Sequence, residues 1–197
     1  RWGTFPSVAA AWSFSEENFV KDNLGWLSFG KFRVSWGRSG MHFSNNYLAL
    51  GIMQVGGSSY LGNSILEPEW SEGLYNDELS WEETDQYDFG LDVDMFEHRL
   101  GITLDYYYRY TDKLLNKVDL PGRGRTTGYR KQWRNVAAVS NEGIEMMVKY
   151  EIFRKKDLFW KVSVNMARNW NRFEKSYTGV DINGLIIGKS LNGIYAL

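Results

Sequence analysis

The chain has 197 residues, with 23 lysines and arginines against 24 aspartates and glutamates and a formal charge of -1. This balance argues against a dedicated nucleic-acid-binding protein, whose affinity depends on a net basic surface. Because the chain has no cysteine and only two histidines, a disulfide framework and thiolate or histidine metal centres are excluded or poorly supported. The 16% aromatic content beside 20 glycines and 3 prolines is typical of long β-strands joined by glycine-containing turns.

Six segments alternate apolar and polar residues with the period of two that a half-exposed strand requires. In chain order they are Val8–Phe14, Phe32–Trp36, Tyr87–Met95, Ile102–Tyr110, Ile144–Ile152 and Trp160–Trp170. The only helical signal is a possible turn near Glu16–Asp22. The pattern therefore predicts an all-β protein with six strands.

The length of these segments separates two interpretations. A soluble β-sandwich would also alternate, but ordinary strands have about 5 to 6 residues, whereas transmembrane β-strands need roughly 9 to 11. Trp160 and Trp170 share one face and are ten residues apart, which is about 33 Å along a strand. A tilt near 40° reduces this to about 25 Å, the height of the lipid-facing band of an outer-membrane barrel.

The connections between the segments favour the same interpretation. Only a few residues separate Met95 from Leu100 and Phe153 from Phe159, whereas long connections lie at the opposite ends. Membrane barrels alternate short periplasmic turns with long external loops in this way. The uncharged stretch Ser39–Leu66 is rich in serine, asparagine and glycine and is predicted to be a loop. Because six strands are too few to close a barrel, we expect the chain to be part of a larger one.

Two groups of polar residues are candidates for a binding or catalytic site. The acidic set around Asp88 and Asp92 could form a carboxylate pair or a calcium site, but a charged, water-filled lumen accounts for residues spread along one strand face more simply. The glycine-rich run 122–128 lacks the spacing of a phosphate-binding loop. Its neighbours Arg130 and Trp133 interleave bases with aromatics, which favours contact with lipopolysaccharide phosphates, a partner protein or a ligand.

Exposed aromatic residues are expected in the longest loop. Tyr47, Tyr60, Trp70 and Tyr75 lie there, and they would either stack on sugar rings or pack on another protein. Packing within the loop itself is an equally good interpretation.

Several ordered motifs resemble the SusC/RagA family of TonB-dependent outer-membrane transporters. The matching runs are 1–7 (RWGTFPS), 36–40 (WGRSG), 79–86 (LSWEETDQ), 105–115 (DYYYRYTDKLL) and 141–145 (NEGIE). They occur in the family's order and cover nearly the whole chain, so that together they are specific although each alone is weak.

The resemblance implies a barrel of about 22 strands that holds a plug domain. Residues 1–197 would belong to this single barrel domain, with the plug, an N-terminal extension and the C-terminal strands outside them. A SusD-like surface lipoprotein would act as a lid, TonB would power the import of an oligosaccharide or peptide, and the barrel would contact outer-membrane lipids. No catalytic residue, metal or cofactor is expected, and no nucleic-acid partner.

Within such a barrel, two sets of residues have expected roles. Tyr106, Tyr108, Val148 and Trp160 would face lipid, while Asp88, Asp92, Lys149 and Asn165 would face the lumen. The residues expected to contact substrate or lid are Tyr47, Trp70, Tyr75, Arg130 and Trp133.

Overall fold

The computed structural model describes residues 3–41, 53–60, 62–68, 73–120, 131–177, 179, 181 and 185–193. The elements in chain order are β1 (Ser7–Trp12), a 3-10 helix (Phe14–Glu16), α1 (Asn18–Asn23), β2 (Leu27–Met41), β3 (Met53–Tyr60), β4 (Asn63–Pro68), β5 (Glu82–Met95), β6 (Leu100–Asp119), β7 (Lys131–Lys155) and β8 (Leu158–Ser176). One antiparallel sheet has the order β1-β2-β5-β6-β7-β8, and β3 pairs with β4 in a separate hairpin.

The six-stranded sheet confirms the predicted fold class. It is open, with β1 and β8 at its edges, and β2, β5, β6, β7 and β8 have 14 to 25 residues each. These lengths far exceed the roughly 5 to 6 residues of an ordinary strand. The described helices are all too short and too polar to cross a membrane.

The prediction of a continuous loop over Ser39–Leu66 is wrong. β2 extends to Met41, and β3 and most of β4 lie within this stretch. Strand pairing is made by backbone groups, so glycine and serine do not prevent it where a local hairpin supplies the partner. Gly62, with φ of 82°, provides the left-handed residue of the turn between β3 and β4.

From β2 onward the connections divide by length as predicted, whereas residues 13–26, which join β1 to β2, are longer than a tight turn. Residues 96–99 join β5 to β6, and two residues join β7 to β8, at the end of the sheet that we call the turn end. Phe96, Glu97 and His98 all have left-handed φ angles between 54° and 63° in the first of these turns. The longer connections between β2 and β5 and between β6 and β7 lie at the opposite, loop end.

The strand register places the side chains on the two faces that the alternation predicts. One row across the sheet contains Val34, Phe89, Tyr106, Ile144 and Arg168, and a row three residues away, on the other face, contains Lys31, Asp92, Thr103, Met147 and Asn165. Large apolar side chains such as Phe89, Ile144 and Met166 are exposed. The apolar face is therefore uncovered along the sheet.

A small packed cluster lies at the loop end. Leu79, Val136, Ala138 and Phe173 are all at most 2% exposed. Leu79 belongs to the segment that precedes β5, whereas the other three belong to β7 and β8. This burial attaches the end of a long connection to the sheet.

Candidate functional site: the polar face and the loop-end cleft

An ion-pair network joins three strands on the polar face. Arg33 Nε lies 2.8 Å from Asp92 Oδ2, and Arg33 Nη2 lies 2.8 Å from Asp105 Oδ1. Gly90 is the residue of β5 over which this guanidinium passes, because a Cβ there would lie 2.6 Å from its central carbon. The glycine therefore permits one arginine to bridge carboxylates on two neighbouring strands, a geometry suited to its fork of donors.

Asp88 belongs to a second polar network nearer the loop end. Its carboxylate accepts hydrogen bonds from Ser35 Oγ at 3.0 Å and from Gln86 Nε2 at 2.9 Å. Arg109 donates in turn to Gln86 Oε1 at 3.0 Å. Asp88 and Asp92 thus share a face but have separate partners, and within the described residues no group of three or more histidine or acidic side chains is arranged to hold a metal.

Asn165 lines a shallow hollow on the same polar face. Its volume is about 360 Å³, and Thr103, Glu145 and Met147 also line it. Lys149 lies in the next row, where it pairs with Gly101 and Ser163. The four residues predicted to face a lumen therefore do lie on one face, distributed over several rows.

Aromatic side chains form two bands on the apolar face. Phe153 stacks on Trp160 with ring centroids 6.0 Å apart near the turn end, and Tyr87 packs against Tyr108 at 6.4 Å near the loop end. Trp170 lies in the row of Tyr87 and is ten residues from Trp160, which is about 33 Å along the strand and, at a tilt near 40°, about 25 Å across the membrane. This spacing matches the aromatic girdles that flank the lipid-facing band of membrane barrels.

The segment 73–81, which we call the strap, is tied across the loop ends of β6 and β7. Leu74 N donates to Lys131 O at 2.8 Å, and Asn76 Nδ2 donates to Trp133 O at 2.7 Å. Gln132 Nε2 donates to Tyr75 O at 2.8 Å. Two main-chain groups and one side chain of the strap are therefore hydrogen-bonded to residues more than fifty positions away.

Asn135 provides the central attachment of the strap. Its Oδ1 accepts from Ser80 N at 2.9 Å, and its Nδ2 donates to Ser80 O at 2.9 Å and to Lys113 O at 2.6 Å. One amide thus joins the strap, β6 and β7. Lys113 has a left-handed φ of 58° and lies at the β-bulge of β6, which turns its carbonyl toward this amide.

A cleft of about 490 Å³ lies between the strap and β7. Tyr75, which is half-exposed, lines it together with Glu78 and Gln132. On its other side the guanidinium carbon of Arg134 lies 5.4 Å from the ring centroid of Tyr177. The cleft thus combines aromatic rings, a cation, amides and carboxylates, a set that can bind sugar hydroxyls or peptide groups.

The predicted contact residues have different outcomes at this cleft. Tyr75 lines it, while Trp133 contributes its carbonyl to the strap and packs its ring under Lys117 Nζ, 4.9 Å from the centroid. Trp133 Nε1 is buried and makes no hydrogen bond with a described residue. Tyr47, Trp70, Arg130 and the glycine-rich run 122–128 lie outside the described residues, and nothing is described of the Tyr60 side chain.

Sequence reasoning missed the residues that build the cleft. Asn76, Gln132 and Tyr177 belong to no motif of the sequence. Their roles depend on pairing between distant segments. No periodicity or local spacing could have revealed that pairing.

The sheet has long strands, one apolar and aromatic face, one charged face, and short turns at one end. These features define a section of the wall of a transmembrane β-barrel. Residues 1–194 match the family model described as "TonB dependent receptor-like, beta-barrel". The chain belongs to this family.

Individual relatives support the assignment. The chain is 33% identical over 185 residues to the TonB-dependent receptor SusC of Bacteroides thetaiotaomicron, covering 92% of the chain and 18% of SusC. It is 31% identical over 200 residues to the TonB-dependent receptor P39 of Formosa agariphila, covering 98% of the chain and 18% of that receptor. The chain therefore spans about a fifth of the length of these relatives.

Solved structures agree with the sequence relatives. The RagAB peptide importer in the "closed-closed" state matches with a TM-score of 0.78 and 26% identity, over 93% of this chain and 20% of that one. Its "open-open" state matches with a TM-score of 0.77. The predicted resemblance to SusC and RagA is confirmed, and so is the outer-membrane location. TonB-dependent receptors are transporters and not enzymes.

Proposed function

We propose that this chain forms part of the barrel wall of a TonB-dependent importer of oligosaccharides or peptides, which works with a SusD-like lipoprotein lid. The similarity to SusC and to the RagAB peptide importer supports this proposal. TonB would act through a part of the receptor other than residues 1–197, and the substrate would be captured at the outer surface.

The observation that carries the proposal is the chemical difference between the two faces of one sheet. Backbone groups of the strands are paired with each other, so only the side chains decide which face meets lipid. The face with Tyr106, Tyr108, Val148 and Trp160 is apolar and aromatic, and it would contact lipid. The opposite face, with Asp88, Asp92, Lys149 and Asn165, would line the water-filled lumen.

The loop end would then face the outside of the cell, because long connections of membrane barrels are external. There the cleft beside the strap would contact the substrate or the lid, with Tyr75 and Arg134 among the residues that line it. Trp133 would support the cleft from below. Contacts from Tyr47, Trp70 and Arg130 remain predictions from the sequence.

The soluble carbohydrate-binding sandwich is the weaker alternative. A sandwich buries its apolar face against a second sheet, whereas here Phe89, Ile144 and Met166 lie exposed on a single sheet. The only other sheet among the described residues is the two-stranded hairpin of β3 and β4.

The first test is a gel of outer-membrane fractions, boiled and unboiled, with peptide mapping of the band that contains these residues. The proposal expects a heat-modifiable band several times heavier than this chain. A soluble, heat-insensitive species of the size of 197 residues would contradict it.

The second test concerns import. Deleting the parent gene should abolish growth on one particular glycan or peptide source, and wild-type growth on every source tested would count against import. A Tyr75→Ala variant of the full-length receptor should reduce uptake or lid association. Tyr150→Ala, at the turn end and similarly exposed, serves as the matched control and should leave both unchanged.

A further inference from the structure

The hairpin of β7 and β8 carries two lysines where the apolar face reaches the turn end. Phe153 and Trp160 stack on this face, and the next pair of residues on the same face is Lys155 with Leu158. This pair lies about 7 Å further along the strands than the two rings. β7 ends at Lys155, and Lys156 follows it in the turn, so both lysines lie just beyond the aromatic band.

The two lysines differ from the other cations of the hairpin because they have no anionic partner. Glu151 is only 9% exposed, and its carboxylate accepts from Arg154 Nε at 2.6 Å. Lys161 Nζ lies 4.0 Å from the same carboxylate. Within the described part of the chain, neither Lys155 nor Lys156 forms an ion pair, and both are exposed.

The hairpin tip has a positive net charge that its neighbours do not cancel. Residues 151–161 contain four cationic side chains and two anionic ones, which are Arg154, Lys155, Lys156 and Lys161 against Glu151 and Asp157. The neighbouring turn adds one charge of each sign, Glu97 and Arg99. On the opposite face, Asp94 and Lys149 lie in one row and also balance each other.

An acidic segment at the same end of the sheet is too distant to compensate the lysines. Residues 16–22 contain three anions and Lys21, whose Nζ lies 2.8 Å from Glu16 Oε2. This segment joins β1 to β2, and β5 and β6 separate β2 from β7, which is a width of about 14 Å. The Debye length at physiological salt is about 8 Å, so charges at that separation are largely screened from each other.

Hydrogen bonds fix the backbone that carries the lysines. Arg154 Nη1 donates to Glu97 O at 3.1 Å, and Glu151 N donates to Arg99 O at 2.8 Å. Arg99 Nη2 donates in return to the carbonyls of Glu151 and Ile152, each at 3.3 Å. The two turns therefore hold each other, and the lysines extend from a fixed position at the edge of the apolar face.

We propose that the tip of this hairpin binds an anionic glycerophospholipid of the inner leaflet, with Lys155 and Lys156 contacting its phosphate. An ammonium group binds phosphate as a point charge. Each basic residue close to an anionic lipid surface strengthens binding by about fivefold. Leu158 and Trp160, which are 52% and 53% exposed, provide the apolar surface for the acyl chains.

The proposal rests on the proposed function, because it requires the apolar face to meet lipid and the turn end to face the periplasm. A phospholipid whose headgroup also carries an amine has no net charge, and the lysines gain less from it. Phosphatidylglycerol and phosphatidylcholine differ in this property while sharing the phosphate and the acyl chains. Their comparison therefore isolates the charge that the lysines recognise.

The test uses the full-length receptor in nanodiscs made of equal parts phosphatidylglycerol and phosphatidylcholine with the same acyl chains. In two parallel samples, one lipid or the other carries a photoreactive diazirine near its headgroup. Mass spectrometry of chymotryptic peptides then gives the ratio of the two labels on residues 151–161. In the wild type the phosphatidylglycerol label should predominate. In the double variant Lys155→Gln and Lys156→Gln the ratio should fall about fivefold for each lysine removed.

Lys21→Gln is the matched control, because Lys21 lies at the same end of the sheet but is already paired with Glu16. The label ratio on the hairpin should equal that of the wild type. If the double variant loses heat-modifiability, Lys156→Gln alone is used, since this residue lies in the turn outside both strands. It should still lower the ratio about fivefold.

The results separate this proposal from the proposed function. Equal labelling of the hairpin by the two lipids in the wild type would overturn the lipid site while leaving import intact. An unchanged ratio in a heat-modifiable Lys156→Gln receptor would do the same. If neither lipid labelled the apolar face of the strands, the orientation on which the proposed function rests would be overturned instead. A preference for phosphatidylglycerol that falls in the variants and is kept in the control would establish the site.

Discussion

The attachment of the strap by Asn135 can be tested with one nearly isosteric substitution. Asn135→Asp keeps the acceptor for Ser80 N but replaces the Nδ2 donor by a carboxylate oxygen. That oxygen would then face the carbonyls of Ser80 and Lys113, which Nδ2 now approaches to 2.9 and 2.6 Å. The variant should therefore loosen the strap from β6 and β7 without altering the sheet below it.

The expected magnitude follows from the hydrogen bonds lost. Each is worth about 0.5–1.5 kcal/mol, and leaving a partly buried carbonyl without a donor adds about 1 kcal/mol or more. A total of about 3 kcal/mol would raise the population of the detached strap on the order of a hundredfold. Hydrogen exchange of the amides of Leu74 and Ser80, measured by mass spectrometry on the full-length receptor in detergent, reports this population directly.

Asn116→Asp is the control for this experiment. Asn116 lies exposed on β6, and its Oδ1 accepts only from the adjacent Lys117 N at 2.8 Å among the hydrogen bonds described. Exchange in β5, for example at Phe89, should be unchanged in both variants. If strap exchange in Asn135→Asp equalled that of Asn116→Asp, the reasoning that this amide holds the strap would be refuted.

Three further predictions concern the stability of the full-length receptor in detergent. Leu79→Ala empties a fully buried site and should cost about 2–5 kcal/mol, which a thermal unfolding midpoint equal to wild type would contradict. Arg33→Gln leaves Asp92 without its ion-pair partner and should lower the free energy of unfolding by about 1–2 kcal/mol at low salt. This loss of stability should be smaller at high salt, because screening already weakens the ion pair of the wild type. A loss that did not depend on salt would contradict the prediction. Glu97→Gly removes a side chain from a residue with a left-handed φ of 57° and should stabilise the receptor by about 1 kcal/mol. Lys21→Gly in α1 is the comparison and should destabilise the receptor. Equal thermal unfolding midpoints for the two variants would show that the turn is not strained.

The ion pairs of the polar face also predict how substitutions of Gly90 and Arg33 affect each other. Arg33 links three strands through two carboxylates, and Gly90 gives it room to do so. A larger residue at Gly90 would displace the guanidinium from both acids at once. We therefore expect substitutions of Gly90 and Arg33 to have non-additive effects on the free energy of unfolding in a double-mutant cycle.

Alternation along the chain was sufficient to identify the six strands of the main sheet and their faces. The period of two is a local property, so Trp160, Val164 and Trp170 could be assigned to one face before any partner strand was known. The same is true of the short turns, because few residues separate the alternating segments there. Strand ends were less well predicted, since β7 and β8 continue beyond the apolar alternation as paired backbone.

The tertiary structure alone decided the site features. The strap reaches Asn135 across 55 positions of sequence, and the segment that follows β8 is held beside Phe173 by backbone hydrogen bonds of Gly188 and Lys189. The hairpin of β3 and β4 forms through backbone pairing that its glycines and serines gave no reason to expect. A repeating pattern records which face of an element is apolar, whereas a cleft arises from contacts between distant segments, which no local pattern encodes.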